Sequence, residues 1–392
     1  MEQPTANNQD TFIERVRLQG YKSIEDVEIT FKPGLNILIG ANGSGKTNFV
    51  RFLEMTLSRN FEHVSDKVQV EVNYRVDNNS YLDSLEYRES SSSRSMPNRE
   101  QLFLNGEKIF EGEGKFNFGK NIPDEDFEKY KTFCEQNELY FSDPLLVSYG
   151  VTEKFNNIGY LERILIFDNQ KDEFYIDKYS LFIEPHVARG IFSLFRSVVD
   201  SLMTQRDDKE NDGLAFPINF VENLRIYTPV KDIQLEPGYR IESTKNGKEI
   251  LHARFEFLVD GKWCPWTQLS DGTKRLIYII TEVTFANNII LLEEPELGIH
   301  PHQLSKLMDF LEAAAEHKQI ILTTHSPQVL NVLPLDGLDR IIVVRYDKEN
   351  GTKMSHLTEE EQQQARTYME AGGLYLSDYW VYSDLEKEIE AA

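Results

Sequence analysis

The run "GANGSGKT", Gly40 to Thr47, constrains this chain more than any other feature. It satisfies the pattern G-x-x-x-x-G-K-[ST] without a mismatch. Before it stands the apolar, strand-like "LNILI". After it, "NFVRFLEMTL" sets Phe49, Val50, Phe52, Leu53 and Leu57 at helical spacing. Strand, glycine-rich turn and helix in that order make a phosphate cradle. Gly40, Gly43 and Gly45, with Asn42 and Ser44 between them, let main-chain N–H groups converge on phosphate oxygens with no Cβ in the way. The helix N-terminus adds partial positive charge. Lys46 reaches the β- and γ-phosphates, and the Thr47 hydroxyl ligates Mg²⁺. ATP and Mg²⁺ are therefore the expected ligands.

Two later stretches supply what such a cradle lacks. "IILLEEPE", Ile289 to Glu296, ends a hydrophobic strand in consecutive acids. Glu293 is expected to hold Mg²⁺ through water, and Glu294, pointing off the strand end, to polarise the attacking water. "ILTTHSPQ" ends another buried strand at His325, whose ring can hydrogen-bond a γ-phosphate and report its presence. His300 and His302 in "GIHPHQ" could be a metal pair, but a helix start beside proline explains them equally well, and no zinc is expected. A third stretch, "LSDGTKR", puts Ser270 and Gly272 before a helix read from Thr273 to about Phe285. Ser, Gly and a helix N-terminus make an anion site, with Lys274 and Arg275 adding positive charge. Taken alone, the turn is also an ordinary N-cap.

The 392 residues suggest two domains, or one large domain with an insertion. Alternating runs such as "VQVEVNYRV" and "QLFLNGEKIFEG", with "NGEK" as a hairpin turn, make residues 11–120 an N-terminal lobe containing an antiparallel β portion. Residues 121–215 read as a helical insertion, with a stripe from Ile191 to Leu202 at helical spacing. Residues 216–355 return to buried strands alternating with helices, which argues for a mostly parallel sheet covered on both faces. Residues 356–392 read as a C-terminal docking tail or helix cover. The fold class is α/β.

Charge and composition narrow the function classes. A formal net charge of −23 repels nucleic acid, so DNA stays open as a partner but is disfavoured. No apolar run approaches the about 18–20 residues of a membrane span, and the polar N-terminus lacks a signal pattern. Cys134 and Cys264 have no metal-ligand spacing and read as ordinary thiols. A cytoplasmic protein with no membrane partner is expected.

The segments "RLQGYKSIEDVEITFKPGLNILIGANGSGKTNF", "LSDGTKRLIYI", "IILLEEPELGIHPHQL" and "IILTTHSPQVL", in this order, resemble the ABC-type ATPase heads of the RecF, SMC and OLD kind. They cover roughly a third of the chain. The resemblance implies a P-loop NTPase head whose signature turn closes over a nucleotide held by another head. Ser270 and Gly272 would thus contact the γ-phosphate of a partner's ATP, and the chain would form a homodimer or higher homo-oligomer through its heads. It also implies that Lys22 or Ser23 of "GYKSI" touches nucleotide, and that a glutamine, Gln69 or Gln101, links the lobes. The first acid of the pair is often Asp in such heads; here it is Glu293. After "IIVVRY" only a few dozen residues follow, with no D-x-D cluster, so no built-in nuclease of the OLD type is expected. Heads of this size without a nuclease resemble the ATPase subunits of bacterial anti-phage systems such as Septu and PARIS, which act with a separately encoded nuclease or effector. The rival reading is a DNA-repair clamp of RecF type that grips DNA across its head dimer.

Overall fold

The computed structural model describes residues 11–58, 67–76, 79–87, 98–113, 162–164, 216–235, 240–244, 247–251, 255–265, 268–285, 289–372 and 375–383. Contacts divide the chain into two units, each discontinuous in sequence. The first comprises Met1–Arg163, Asn287–Glu294 and Ala315–Ala392; the second comprises Ile164–Ala286 and Pro295–Ala314.

In the first unit, alternation of apolar and polar residues produces a six-stranded antiparallel sheet. Its strands are β1 (Thr11–Tyr21), β2 (Ile24–Thr30), β4 (Val68–Val76), β5 (Asn79–Tyr87), β6 (Arg99–Leu104) and β7 (Glu107–Glu113), in the order β2-β1-β4-β5-β6-β7. Val68, Val70, Val72 and Tyr74 are buried on one face, while Gln69 and Arg75 stand on the other. The β6–β7 hairpin turns at Asn105 and Gly106, both with positive φ, the pair that an Asn-Gly sequence favours.

The second sheet carries the site. It comprises β3 (Leu35–Ile39), β8 (Glu162–Ile164), β14 (Ile289–Glu293), β15 (Gln319–Thr324), β16 (Ile341–Asp347) and β17 (Gly351–His356), in the order β17-β16-β3-β15-β14-β8. Strands β16, β3, β15 and β14 run parallel, and β17 returns antiparallel beside β16. Every residue of β3, β14 and β15 is buried, as expected of parallel strands covered on both faces. Helix α1 (Lys46–Ser58) leaves the end of β3 and buries Phe49, Val50, Phe52 and Leu53. Each such side chain contributes about 1.5–3 kcal/mol of hydrophobic stabilisation. The Phe52 ring lies 4.5 Å from Tyr21, tilted against it, and 5.9 Å from Tyr87, edge-on, so one core joins α1 to both sheets.

The sheets are also tied by hydrogen bonds. The β1–β4 register slips between Ile13 and Arg15. The Gln319 side chain, at the start of β15, meets that bulge. It accepts the Ile13 N–H at 2.8 Å and donates to the Ile13 and Lys32 carbonyls at 2.9 and 3.0 Å.

The second unit contains α2 (Ile218–Tyr227), the antiparallel sheet β13-β12-β9 from β9 (Asp232–Leu235), β12 (Phe255–Val259) and β13 (Lys262–Pro265), and the hairpin β10 (Arg240–Thr244) with β11 (Gly247–Leu251). It continues with α3 (Asp271–Phe285) and α4 (Pro301–Ala315). The β12–β13 hairpin turns at Asp260 and Gly261, with φ of 50° and 75°. Helix α3 buries Leu276, Ile279, Ile280 and Val283, a spacing that keeps one face inward.

In the C-terminal segment, α5 (Glu359–Gly372) opens with a capping box between Thr358 and Glu361. Helix α6 (Leu376–Tyr382) lies on the 3-10 turn Pro327–Val332. Trp380 is buried there, and the Ser377 N–H donates to Asn331 at 2.9 Å. The helical reading of residues 121–215, its Ile191–Leu202 stripe and Cys134 lie outside the described residues. Within that range Glu162–Ile164 is described, and it is an edge strand rather than helix, paired along the open side of β14. No described helix is long and apolar enough to cross a membrane.

Candidate functional site

The parallel register decides which residues meet. Leu38, Thr323 and Glu293 form one row across β3, β15 and β14, and Ile39 and Thr324 form the next. The chain leaves each strand at the same edge. Gly40 begins the loop there, Glu294 follows Glu293, and His325 follows Thr324. The acid strand is not the immediate neighbour of the loop strand, because β15, which leads into His325, lies between them.

The glycines of the loop serve different ends. A Cβ on Gly40 would collide with the Val344 carbonyl of β16, and one on Gly45 (φ 105°) with the Thr352 side chain of β17. Gly43 (φ 82°) faces open space, so its requirement is conformational and it leaves the cradle unobstructed. Lys46 is 4% exposed, and its ammonium donates to the Gly40 and Ala41 carbonyls at 2.6 and 2.9 Å. Asn42 and Thr47 are exposed at the mouth, and Ser44 is buried.

Glu293 closes β14 and is 9% exposed. Glu294 takes a left-handed backbone conformation (φ 44°), rare and costly for a side chain of this kind. Its N–H still bonds the Thr323 carbonyl at 2.9 Å, so the twist turns its carboxylate away from the row while the backbone stays anchored. Its Oε1 lies 3.4 Å from the His325 Nδ1. Residues 31 positions apart in sequence thus form one carboxylate–imidazole pair at the strand ends.

A triphosphate with Mg²⁺ fits these residues. The Ser44 and Thr323 hydroxyl oxygens are buried with no hydrogen-bond partner among the described residues. Both lie in the segments that converge on the cradle. The Lys46 ammonium is held by neutral carbonyls, which a phosphate oxygen outcompetes. Exposed Thr47 and the Glu293 carboxylate offer oxygen ligands suited to a hard cation.

The "LSDGTKR" turn belongs to the second unit. Helix α3 starts at Asp271, two residues before the expected Thr273, because Ser270 caps it. The Thr273 N–H donates to the Ser270 hydroxyl at 3.3 Å, and the Lys274 N–H donates to the Ser270 carbonyl at 2.9 Å. Gly272 lies where a Cβ would press on the Gly298 carbonyl at 2.8 Å, so the turn packs against "ELGIH". Lys274 is buried and lies 3.7 Å from Asp271. His300 and His302 stack at 5.6 Å, and no cluster of His, Cys, Asp and Glu among the described residues suits a metal ion.

Lys22 is exposed at the β1–β2 turn (φ 51°), its ammonium 5.1 Å above the Tyr21 ring. Its neighbour Ser23 accepts hydrogen bonds from Asn48, on α1, at 3.0 Å and from the Thr352 hydroxyl at 2.9 Å. Sequence reasoning passed over Asn48 and Thr352. The first stood one residue past the motif, and the second lies in a plain strand some 300 residues away. Gln69 and Gln101 both line a shallow cleft on the antiparallel sheet beside Arg17 and Arg99.

Residues 35–331 match the family described as "AAA domain, putative AbiEii toxin, Type IV TA system". The "Septu protein PtuA" of Bacillus thuringiensis is 23% identical over 350 residues, covering 83% of this chain and 74% of that protein. The "Retron Vc95 probable ATPase" of Vibrio cholerae serotype O1 biovar El Tor is 24% identical over 398 residues, covering 87% and 75%. The solved Smc head domain with an extended coiled coil, bound to the C-terminal domain of ScpA and derived from Pyrococcus furiosus, aligns over 92% of this chain and 100% of that chain. Its TM-score is 0.49 at 14% identity.

Proposed function

This chain belongs to that AAA-domain family and is an ATPase, and from that premise we propose that it has an ABC-type head and is the cytoplasmic, Mg²⁺-dependent sensor of an anti-phage defence complex, controlling a separately encoded nuclease or effector through ATP-linked self-association. One observation carries the catalytic part: Lys46, Glu293, Glu294 and His325 come together at one edge of a parallel sheet, with Glu294 and His325 3.4 Å apart. The Septu and retron relatives support the regulatory part.

Lys46 exchanges the Gly40 and Ala41 carbonyls for β- and γ-phosphate oxygens, while loop N–H groups hold the phosphate chain. Thr47 and, through water, Glu293 would hold Mg²⁺, which would supply positive charge to offset that of the phosphates. Glu294 orients the attacking water and accepts its proton, and His325 donates to the γ-phosphate and keeps the carboxylate aligned. Catalysis is positioning and electrostatics. Ser270 and Gly272 of one chain complete the site of another, so bound ATP bridges two heads and hydrolysis loosens them.

A mixing experiment tests this. Lys46→Ala and Ser270→Arg proteins should each be inactive in phosphate release. Mixed, they should recover activity, because one site of the hybrid pairs an intact Lys46 with an intact Ser270. No recovery despite subunit exchange, shown with labelled chains, would mean either that both sites must be intact or that Ser270 acts within its own chain, and a Ser270→Arg protein that hydrolyses ATP normally by itself would reduce the turn to a helix cap.

A further inference from the structure

The phosphate loop is gripped at both ends by a hairpin that lies outside every recognised motif. Strands β16 and β17 place the Val344 carbonyl against Gly40 and the Thr352 side chain against Gly45. Thr352 is fully buried, and it works in two directions. Its side chain fills the space where a Cβ on Gly45 would sit. Its hydroxyl donates to the Ser23 Oγ at 2.9 Å, and its N–H donates to the Ser23 carbonyl at 2.7 Å. Ser23 Oγ also accepts the Asn48 amide at 3.0 Å, two residues past Lys46. Gly351, with φ 68°, lets the hairpin come this close, since a Cβ there would strike the Ser23 carbonyl. Three segments far apart in sequence, the Lys22 turn, the start of α1 and the β16–β17 hairpin, thus share one hydroxyl.

We propose that Thr352 is a positioning residue for the phosphate loop: through Ser23 and Asn48 it clamps Gly45 and the Lys22-bearing turn into the conformation that receives nucleotide. The reasoning is preorganisation. Gly45 is the last flexible residue before Lys46, and its φ of 105° lies in a region open to glycine with little penalty. An unclamped glycine samples other conformations, and the entropy of ordering it is then charged to binding. A wall on one side and a hydrogen-bonded bracket on the other remove that freedom beforehand. The clamp acts on binding rather than on bond cleavage, because Thr352 reaches the cradle through Gly45 and Ser23.

The test compares Thr352→Val, which keeps shape and strand preference but loses the hydroxyl, with Thr352→Ser, which keeps the hydroxyl. In the nucleotide-free Val variant, amide exchange should rise in Gly45–Asn48 and Lys22–Ser23 while the central strands stay protected. Its Kd and KM for ATP should rise roughly five- to tenfold, the scale of one hydrogen bond, with kcat within about twofold. The Ser variant should return the Kd to near the parent value. Unchanged exchange and Kd in Thr352→Val would overturn the proposal. So would a uniform rise in exchange with kcat and KM degraded together, which would reduce Thr352 to packing. Should Thr352→Val fail to fold, Ser23→Ala removes the shared acceptor from a half-buried turn and should raise Kd in the same way. Where both fold, the double variant should be no weaker in Kd than the weaker single one, and additive losses would sink the bracket.

Discussion

Glu293 and Glu294 are chemically identical neighbours, and the backbone between them separates their positions. Glu293 is the last residue of β14 and holds the buried, in-row position beside Thr323. Glu294 lies past the strand end, in a left-handed conformation that turns its carboxylate towards His325. The identity of both acids was legible in "IILLEEPE". The imidazole partner was not, because it lies on another strand. Glu294→Gln keeps the shape and removes the proton acceptor. Phosphate release should fall roughly 10²–10⁴-fold, with ATP affinity held within a few-fold. A loss of less than tenfold in steady-state hydrolysis would remove Glu294 from the water-activating role. The same residue scale shows why Ser270 was ambiguous in sequence. Its hydroxyl caps α3 here, a task that a serine at that position performs whether or not another chain uses the turn.

At the scale of elements, hairpins and parallel strands were the legible part. Asn105-Gly106 and Asp260-Gly261 make turns because positive φ is inexpensive only for a few residue types, and the first formed where read. The long-range ties were silent. Gln319 reads as an ordinary polar residue opening a strand, yet it satisfies both backbone groups of Ile13 at the β1 bulge, together with the Lys32 carbonyl. Gln319→Leu leaves buried backbone groups unpaired, so it should cost roughly 2–4 kcal/mol of stability. Urea unfolding measures this, and a cost below about 0.5 kcal/mol would mean that water or a shifted bulge satisfies the groups instead. The Thr352 bracket was hidden for the same reason: a strand threonine carries no local sign of what faces it.

At the scale of the whole molecule, the net charge of −23 is spread over many acids, and several are paired on the antiparallel sheet. Hydrogen bonds from Arg17 and Arg15 hold the Asp26 and Glu28 carboxyls below their ordinary range. Lys108 first, then Arg99, pull Glu111 down to about 2. Asp347 is lowered by the N–H groups of Asn350 and Glu349, in the turn before β17. A carboxyl lowered by folding stabilises the native state above its unfolded value of about 4, and that contribution is lost as pH falls through the folded value. The advantage of the parent protein over Glu111→Gln in urea midpoint should therefore be largest above about pH 5 and close towards pH 2. It should also shrink in high salt, since these groups face solvent. A gap that widens on acidification would contradict the pairing.

The sequence by itself determined the chemistry and the local conformation. Eight consecutive residues specify a phosphate cradle because backbone geometry, glycine tolerance and a lysine at fixed spacing are local properties. Apolar runs ending in acids or histidine specify buried strands with a polar edge for the same reason. Strand order was decided only in three dimensions, since β15 lies between β3 and β14 through burial of faces that any of several parallel orders would satisfy on pattern alone. So were the 3.4 Å approach of Glu294 to His325 and the meeting of Gly45, Ser23 and Thr352. Those contacts depend on register and on the few ångströms by which distant backbones approach, and periodicity along the chain does not encode either.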